Sequence, residues 1–172
     1  DAIIPWHEVL EKELNLLSEQ SDRFCIQPSE ERFLGLKKQW NQAIYSWSMI
    51  GPINFGPIDD TNAAWRFQFW PDPLNYVQRK FRSRLEESDT AINSEELLEA
   101  SDAIQGLSAL EYLLFDDAQD DVRLYLDSLY RCKILTGTSR NLAEEGRKIS
   151  SAWATTYKGV WSTYDQQIND EN

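Results

Sequence analysis

The sequence predicts an all-α protein, an up-down bundle of four to six helices with one long ordered loop at about residues 51–72. Three observations predict it. Phe33, Leu36, Trp40, Ala43, Ile44, Trp47 and Ile50 recur every three to four residues, the spacing of one helix face. Nothing alternates apolar and polar residues for more than a few positions, as a half-buried strand would. Two Gly-Pro steps, Gly51-Pro52 and Gly56-Pro57, then stop the helical pattern without any linker-like composition after them.

The totals fit a single domain over residues 1–172, with 41% hydrophobic and 27% charged residues. Seven Trp, seven Tyr and seven Phe predict a bulky core. The net charge of −12, from 29 acidic against 17 basic residues, argues against nucleic acid as a partner. No apolar run approaches the roughly 18 residues that would span a membrane. There is no phosphate-binding glycine loop, no Cys-x-x-Cys and no Ser-His-Asp set, since the sole histidine is His7.

Pro5 reads as a first-turn residue of a helix running to about Phe24, with Val9, Leu10, Leu14, Leu17 and Phe24 inward. His7 and Glu11 are spaced to share a metal, but no third ligand is near, and both are expected to be exposed helix-start residues. Cys25-Ile26-Gln27-Pro28 breaks the helix; Ser29 with Glu30 and Glu31 caps the next, which runs to Ile50 with both tryptophans in the core. The loop that follows carries Trp65, Phe67, Phe69 and Trp70, too apolar to leave in water, and is expected to pack on the bundle. Leu74 to Glu87 reads as a helix with Tyr76, Val77, Phe81 and Leu85 inward and Arg79, Lys80, Arg82 and Arg84 on a solvated face. A helix from about Ser94 to Asp116 follows. From Asp120 onward the pattern predicts one very long helix, or two with a break near Thr136-Gly137-Thr138, ending in a frayed tail at Asp170 to Asn172.

The stretch Gln105 to Phe115 organises this reading. With Leu107 at zero on a wheel of about 100° per residue, Glu111 lands about 40° away, between Leu107 and Ile104. An isolated carboxylate in a core is costly, so Glu111 is expected to be buried and held by a partner. Arg66 is the first choice because a guanidinium satisfies both carboxylate oxygens; Ser108 is second and a bound cation third. The competing readings are a helix face that bends toward solvent, and a ligand group facing an open cleft.

Gly106-Leu107-Ser108-Ala109-Leu110-Glu111 resembles the Gly-x-His-x-x-Glu motif of the imelysin family, with Ser108 where the family has His. Gly56-Pro57 and Trp70-Pro71-Asp72 resemble segments that precede that motif in the family. The resemblance spans roughly residues 3 to 165 and implies the N-terminal half of a protein about twice this length, built from two helical bundles. It implies an exported bacterial protein, periplasmic or outer-membrane-associated (a lipoprotein included), acting in iron or other metal acquisition. It points to Gly106, Ser108 and Glu111, with Trp70 and Asp72, as the ligand or metal site, to which Arg66 is added as the chosen partner of Glu111, and to iron or another divalent metal as the ligand. Partners would be the C-terminal half or a second copy, and envelope metal-uptake components. The family is also catalogued as a peptidase, but hydrolytic zinc needs three protein ligands plus a water, which one His and scattered carboxylates do not supply. A non-enzymatic binding protein is therefore preferred, with a metallopeptidase and a purely structural module as alternatives.

The chain opens on Asp1-Ala2-Ile3-Ile4-Pro5 without Met, as a processed exported protein does. Two cysteines in an exported protein form one bridge by default, two buried thiols being the alternative. Cys25 and Cys132 are therefore expected to be joined, tying the first helix to the last.

Overall fold

A computed structural model describes residues 3–53, 55–60, 63–87, 104–116, 119–126 and 128–157. Among them the secondary structure is helical throughout, without a strand. The long helices are α1 (Ile3–Ile26), α2 (Glu30–Ile50), α5 (Tyr76–Glu87), α6 (Gly106–Phe115) and α8 (Leu129–Ala152). Short turns, α3 (Pro57–Asp60), α4 (Ala63–Phe67) and α7 (Arg123–Leu126), fill the connections, and α8 widens into a π-helical turn at Trp153–Tyr157.

The frame is α1 lying antiparallel to α2 on one side and α8 on the other. Leu10, Leu14, Leu17 and Phe24 recur at three to seven residues and form the buried seam of α1. The seam is fastened at both ends. Cys25 and Cys132 are disulfide-bonded across 107 residues of chain. At the other end, Trp153 Nε1 donates to His7 Nε2 at 3.0 Å. Between them Gly146 lets the helices close, since a Cβ there would stand 2.7 Å from Leu14 Cδ1.

His7 thus departs from the expected exposed position. It is 2% exposed, and its Nδ1–H donates to the Ile3 carbonyl at 2.7 Å. An indole N–H only donates, so Nε2 is the acceptor and the ring is neutral with its proton on Nδ1. Burial lowers its pKa below the ordinary 6.5, against the opposing Ile3 hydrogen bond. Val9, expected inward, is instead 49% exposed beside the 38% exposed Trp6, because the buried stripe follows His7, Leu10 and Leu14.

In α2, Phe33, Leu36, Trp40, Ala43, Trp47 and Ile50 are buried as their spacing predicts. Ser29 Oγ caps the helix through Arg32 N at 3.3 Å. Arg32 also reaches back to the Arg23 carbonyl at 2.8 Å, closing the α1–α2 corner.

Two boundaries differ from expectation. The predicted helix from Ser94 to Asp116 is interrupted at Gln105, whose backbone is extended, and α6 begins at Gly106 with φ +80. The part before 104 lies outside the described residues. The chain from Asp120 does break in two, but at 126–128 rather than at Thr136-Gly137-Thr138, which α8 crosses unbroken. Ser128 explains the position: its Oγ accepts from Arg131 N at 3.2 Å and caps the helix. Residues 158–172, with the expected tail, also lie outside the described set.

Candidate functional site

α6 is held in the middle of the fold by its neighbours. Trp40 Nε1 of α2 donates to the Leu107 carbonyl at 3.0 Å, and Tyr125 Oη of α7 donates to the Leu113 carbonyl at 2.9 Å. At its start the backbone of α4 presses in so closely that a Cβ on Gly106 would lie 2.3 Å from the Arg66 carbonyl oxygen. Only a glycine, free to take positive φ and lacking that carbon, fits there.

The loop of 63–72 packs on α6 as its aromatic content predicts. Phe67 is fully buried and stacks on Trp47 at 4.7 Å between ring centres. Phe69 is half-buried, and its carbonyl accepts a long 3.4 Å hydrogen bond from Ser108 Oγ. Trp65 and Trp70 remain 42% and 71% exposed, so the loop packs its two phenylalanines and leaves its two tryptophans open.

Between this loop, α5 and α6 lies a cleft of about 340 Å³, lined among others by Phe69, Trp70, Asp72, Ser108, Glu111 and Tyr112. The expected burial of Glu111 is not what the structure has. Glu111 is exposed at the cleft. The buried residues of α6 wrap most of the helix, and Leu107 sits at the edge of that arc, not at its centre. Ser108, Glu111 and Phe115 share the remaining window, about 60° wide at about 100° per residue.

Nor is Arg66 its partner. Arg66 turns to the opposite side of α6 and pairs with Glu145 of α8 at 2.9 Å. Among the described residues Glu111 makes no hydrogen bond or ion pair, and its pKa is raised by desolvation alone. One side of the carboxylate faces water while Phe69, Tyr112 and Phe115 line the rest of the cleft around it. An unpartnered, partly desolvated carboxylate attracts a cation or a proton.

Asp72 reaches the cleft as expected, but its carboxylate is engaged. It accepts from Tyr76 N at 2.7 Å and Val77 N at 3.0 Å, capping α5. Tyr112 and Phe115 escaped the sequence reading as site residues because they look like ordinary core positions. For Phe115 the spacing of four residues from Glu111 was the available signal; Tyr112, one residue on, had none.

A metal held through the Gly-x-His-x-x-Glu motif would need both its His and its Glu. Here Ser108 occupies the first position and spends its hydroxyl on the Phe69 carbonyl. Among the described residues no three of His, Cys, Asp and Glu come together as a metal-holding group. His7 lies on the α1–α8 seam with both ring nitrogens engaged. These residues fit one carboxylate contact to a cation, not a complete metal centre.

Fold and cleft together define a helical bundle with a one-sided aromatic and acidic cleft on a central, buried helix. The chain matches the family model for imelysin over residues 3–172 and belongs to that family. Its fold is similar to the crystal structure of an imelysin-like protein from Psychrobacter arcticum 273-4, with a TM-score of 0.75 at 23% identity. That likeness covers 88% of this chain but 46% of the other, so the chain spans about half the length of that solved relative. No protein of curated function matches the chain. Among the described residues no helix is long and apolar enough to cross a membrane.

Proposed function

We propose that this chain is a non-enzymatic binding half of an imelysin-type envelope protein, and that its cleft holds a cationic group against Glu111. The observation that carries the reading is Glu111 itself, open to the cleft, without a partner among the described residues, and raised in pKa by desolvation. A structural glutamate would be paired; an idle surface glutamate would be fully hydrated. Trp70, 71% exposed at the same cleft, offers a face to a cation or to a packed neighbour. A metal ion is one such cation if further ligands come from a C-terminal half or a second copy. A role in iron or other metal acquisition, and a periplasmic or outer-membrane-associated place, rest on the imelysin resemblance.

Anaerobic calorimetric titration with Fe²⁺, and with Mn²⁺ as a redox-inert control, tests this on wild type and Glu111→Gln. The expected result is cation binding weakened at least tenfold in the variant with its melting temperature unchanged. Equal binding by both proteins would remove Glu111 from the site. Peptidase assays with and without a chelator test the enzymatic alternative; chelator-sensitive cleavage would favour it.

A further inference from the structure

A second cavity, of about 290 Å³, flanks the other side of α6. It is bounded by the start of α6 at Gln105 and Gly106, by Arg66 of α4, and by the stripe Thr138, Asn141, Glu145 and Lys148 of α8. These α8 positions are three or four residues apart, so one polar helix face looks onto the helix start.

Three features of this cavity favour an anion. First, the start of α6 at Gly106 borders the cavity. A helix start carries unpaired N–H groups and partial positive charge, and a small anion there satisfies both. Second, Thr138 is 2% exposed and its Oγ1 makes no hydrogen bond. Its neighbours on α8 behave otherwise: Thr136 Oγ1 donates to the Cys132 carbonyl at 2.8 Å and Ser139 Oγ to the Leu135 carbonyl at 2.9 Å. The Thr138 hydroxyl is withheld from that common backbone bond, and one turn later the buried Asn141 Nδ2 is also unpaired. Third, the lining carries two cations, Arg66, paired with Glu145 at 2.9 Å, and Lys148, 3.8 Å from the exposed Glu144, against the single carboxylate of Glu145.

We propose that this cavity binds a small oxyanion-bearing ligand, a carboxylate or a phosphate. The anion seats on the start of α6, with small rotations bringing the Thr138 hydroxyl and Asn141 amide onto it and Lys148 closing over it. A protein of net charge −12 repels anions in general, so binding here reports a built site and not a diffuse field.

The test is a ¹⁵N-amide titration of the full chain at constant ionic strength, with sodium phosphate and with sodium acetate against a chloride reference, following Gly106 and Leu107. A saturable shift at millimolar anion is expected, and the tighter of the two anions identifies the source chemistry. Thr138→Val removes one hydroxyl at nearly constant shape and is expected to weaken binding about tenfold; Lys148→Gln weakens it several-fold. Arg140→Gln, which removes a cation elsewhere on α8, leaves it unchanged. Should Thr138→Val fold poorly, Asn141→Asp replaces a donor by a like charge and abolishes binding. No saturable shift with either anion would mean that the cavity holds only water, and wild-type affinity in Thr138→Val or Asn141→Asp would equally overturn the proposal.

Discussion

His7 and Glu111 are both titratable groups set among apolar residues, and they have opposite fates. His7, on the α1–α8 seam, is buried with both ring nitrogens hydrogen-bonded. Glu111, at the cleft, is open to solvent and makes no hydrogen bond or ion pair with any described residue. The seam uses polar groups to fix geometry; the cleft leaves one unsatisfied. The two sites differ in whether the protein itself completes the group's bonding, and residue type alone does not decide that.

Several substitutions would break or sharpen this contrast. The largest effect is expected from opening the seam at its covalent end. Replacing Cys25 and Cys132 by Ser frees a loop of 107 residues, and chemical denaturation should show a loss of about 5 kcal/mol in the chain-entropy picture. Next comes Gly106→Ala, which sets a Cβ 2.3 Å from the Arg66 carbonyl oxygen at a φ of +80. It should cost about 3 kcal/mol or more and disturb both cavities beside α6. His7→Ala removes two hydrogen bonds and leaves a void beside Trp153, for about 2–4 kcal/mol in the same assay. Glu111→Gln should change stability by less than about 0.5 kcal/mol, as an exposed substitution does, while altering cation binding.

The pH dependence separates the same two groups by sign. His7 has a folded pKa below its unfolded value of 6.5, so its neutral form is the one the fold accepts. Its contribution is fully present above pH 6.5 and is lost as pH falls from there toward the lower folded value. Denaturation midpoints between pH 7.5 and 5 should fall in wild type and flatten in His7→Ala. Glu111 acts in reverse. Its folded pKa lies above 4.5, so it is neutral in both states at lower pH and becomes unfavourable to the fold as pH rises through the folded value. Comparing wild type with Glu111→Gln from about pH 4 upward, starting below the unfolded 4.5, isolates that opposing slope.

Much of the frame was legible in the sequence. The buried face of α2 follows from spacing alone, and the Cys25–Cys132 bridge follows from two cysteines and expected export. The aromatic loop had to pack, and Phe67 and Phe69 do pack on the bundle. What misled were the groups whose environment is set by distant chain. Trp153, 146 residues away, turns His7 from a surface residue into a buried one. Glu145 draws Arg66 to the far side of α6, away from Glu111. Placing Leu107 at the centre of the wheel assumed which face of α6 was buried, and neighbours on nearly all sides leave open only the window of Ser108, Glu111 and Phe115. Gly106 pointed to a helix start in the middle of what looked like one helix, a signal readable only with its positive φ in hand.

The most direct test of the contrast is the titration of the Glu111 carboxyl itself, followed by side-chain ¹³C resonances assigned by their loss in Glu111→Gln. A partner-free, partly desolvated carboxylate titrates above the ordinary 4.5, and its midpoint falls when Mn²⁺ is added. A midpoint at or below 4.5 in the metal-free protein, unmoved by the cation, would mean that Glu111 is already paired or fully hydrated and that the cleft is not a waiting cation site.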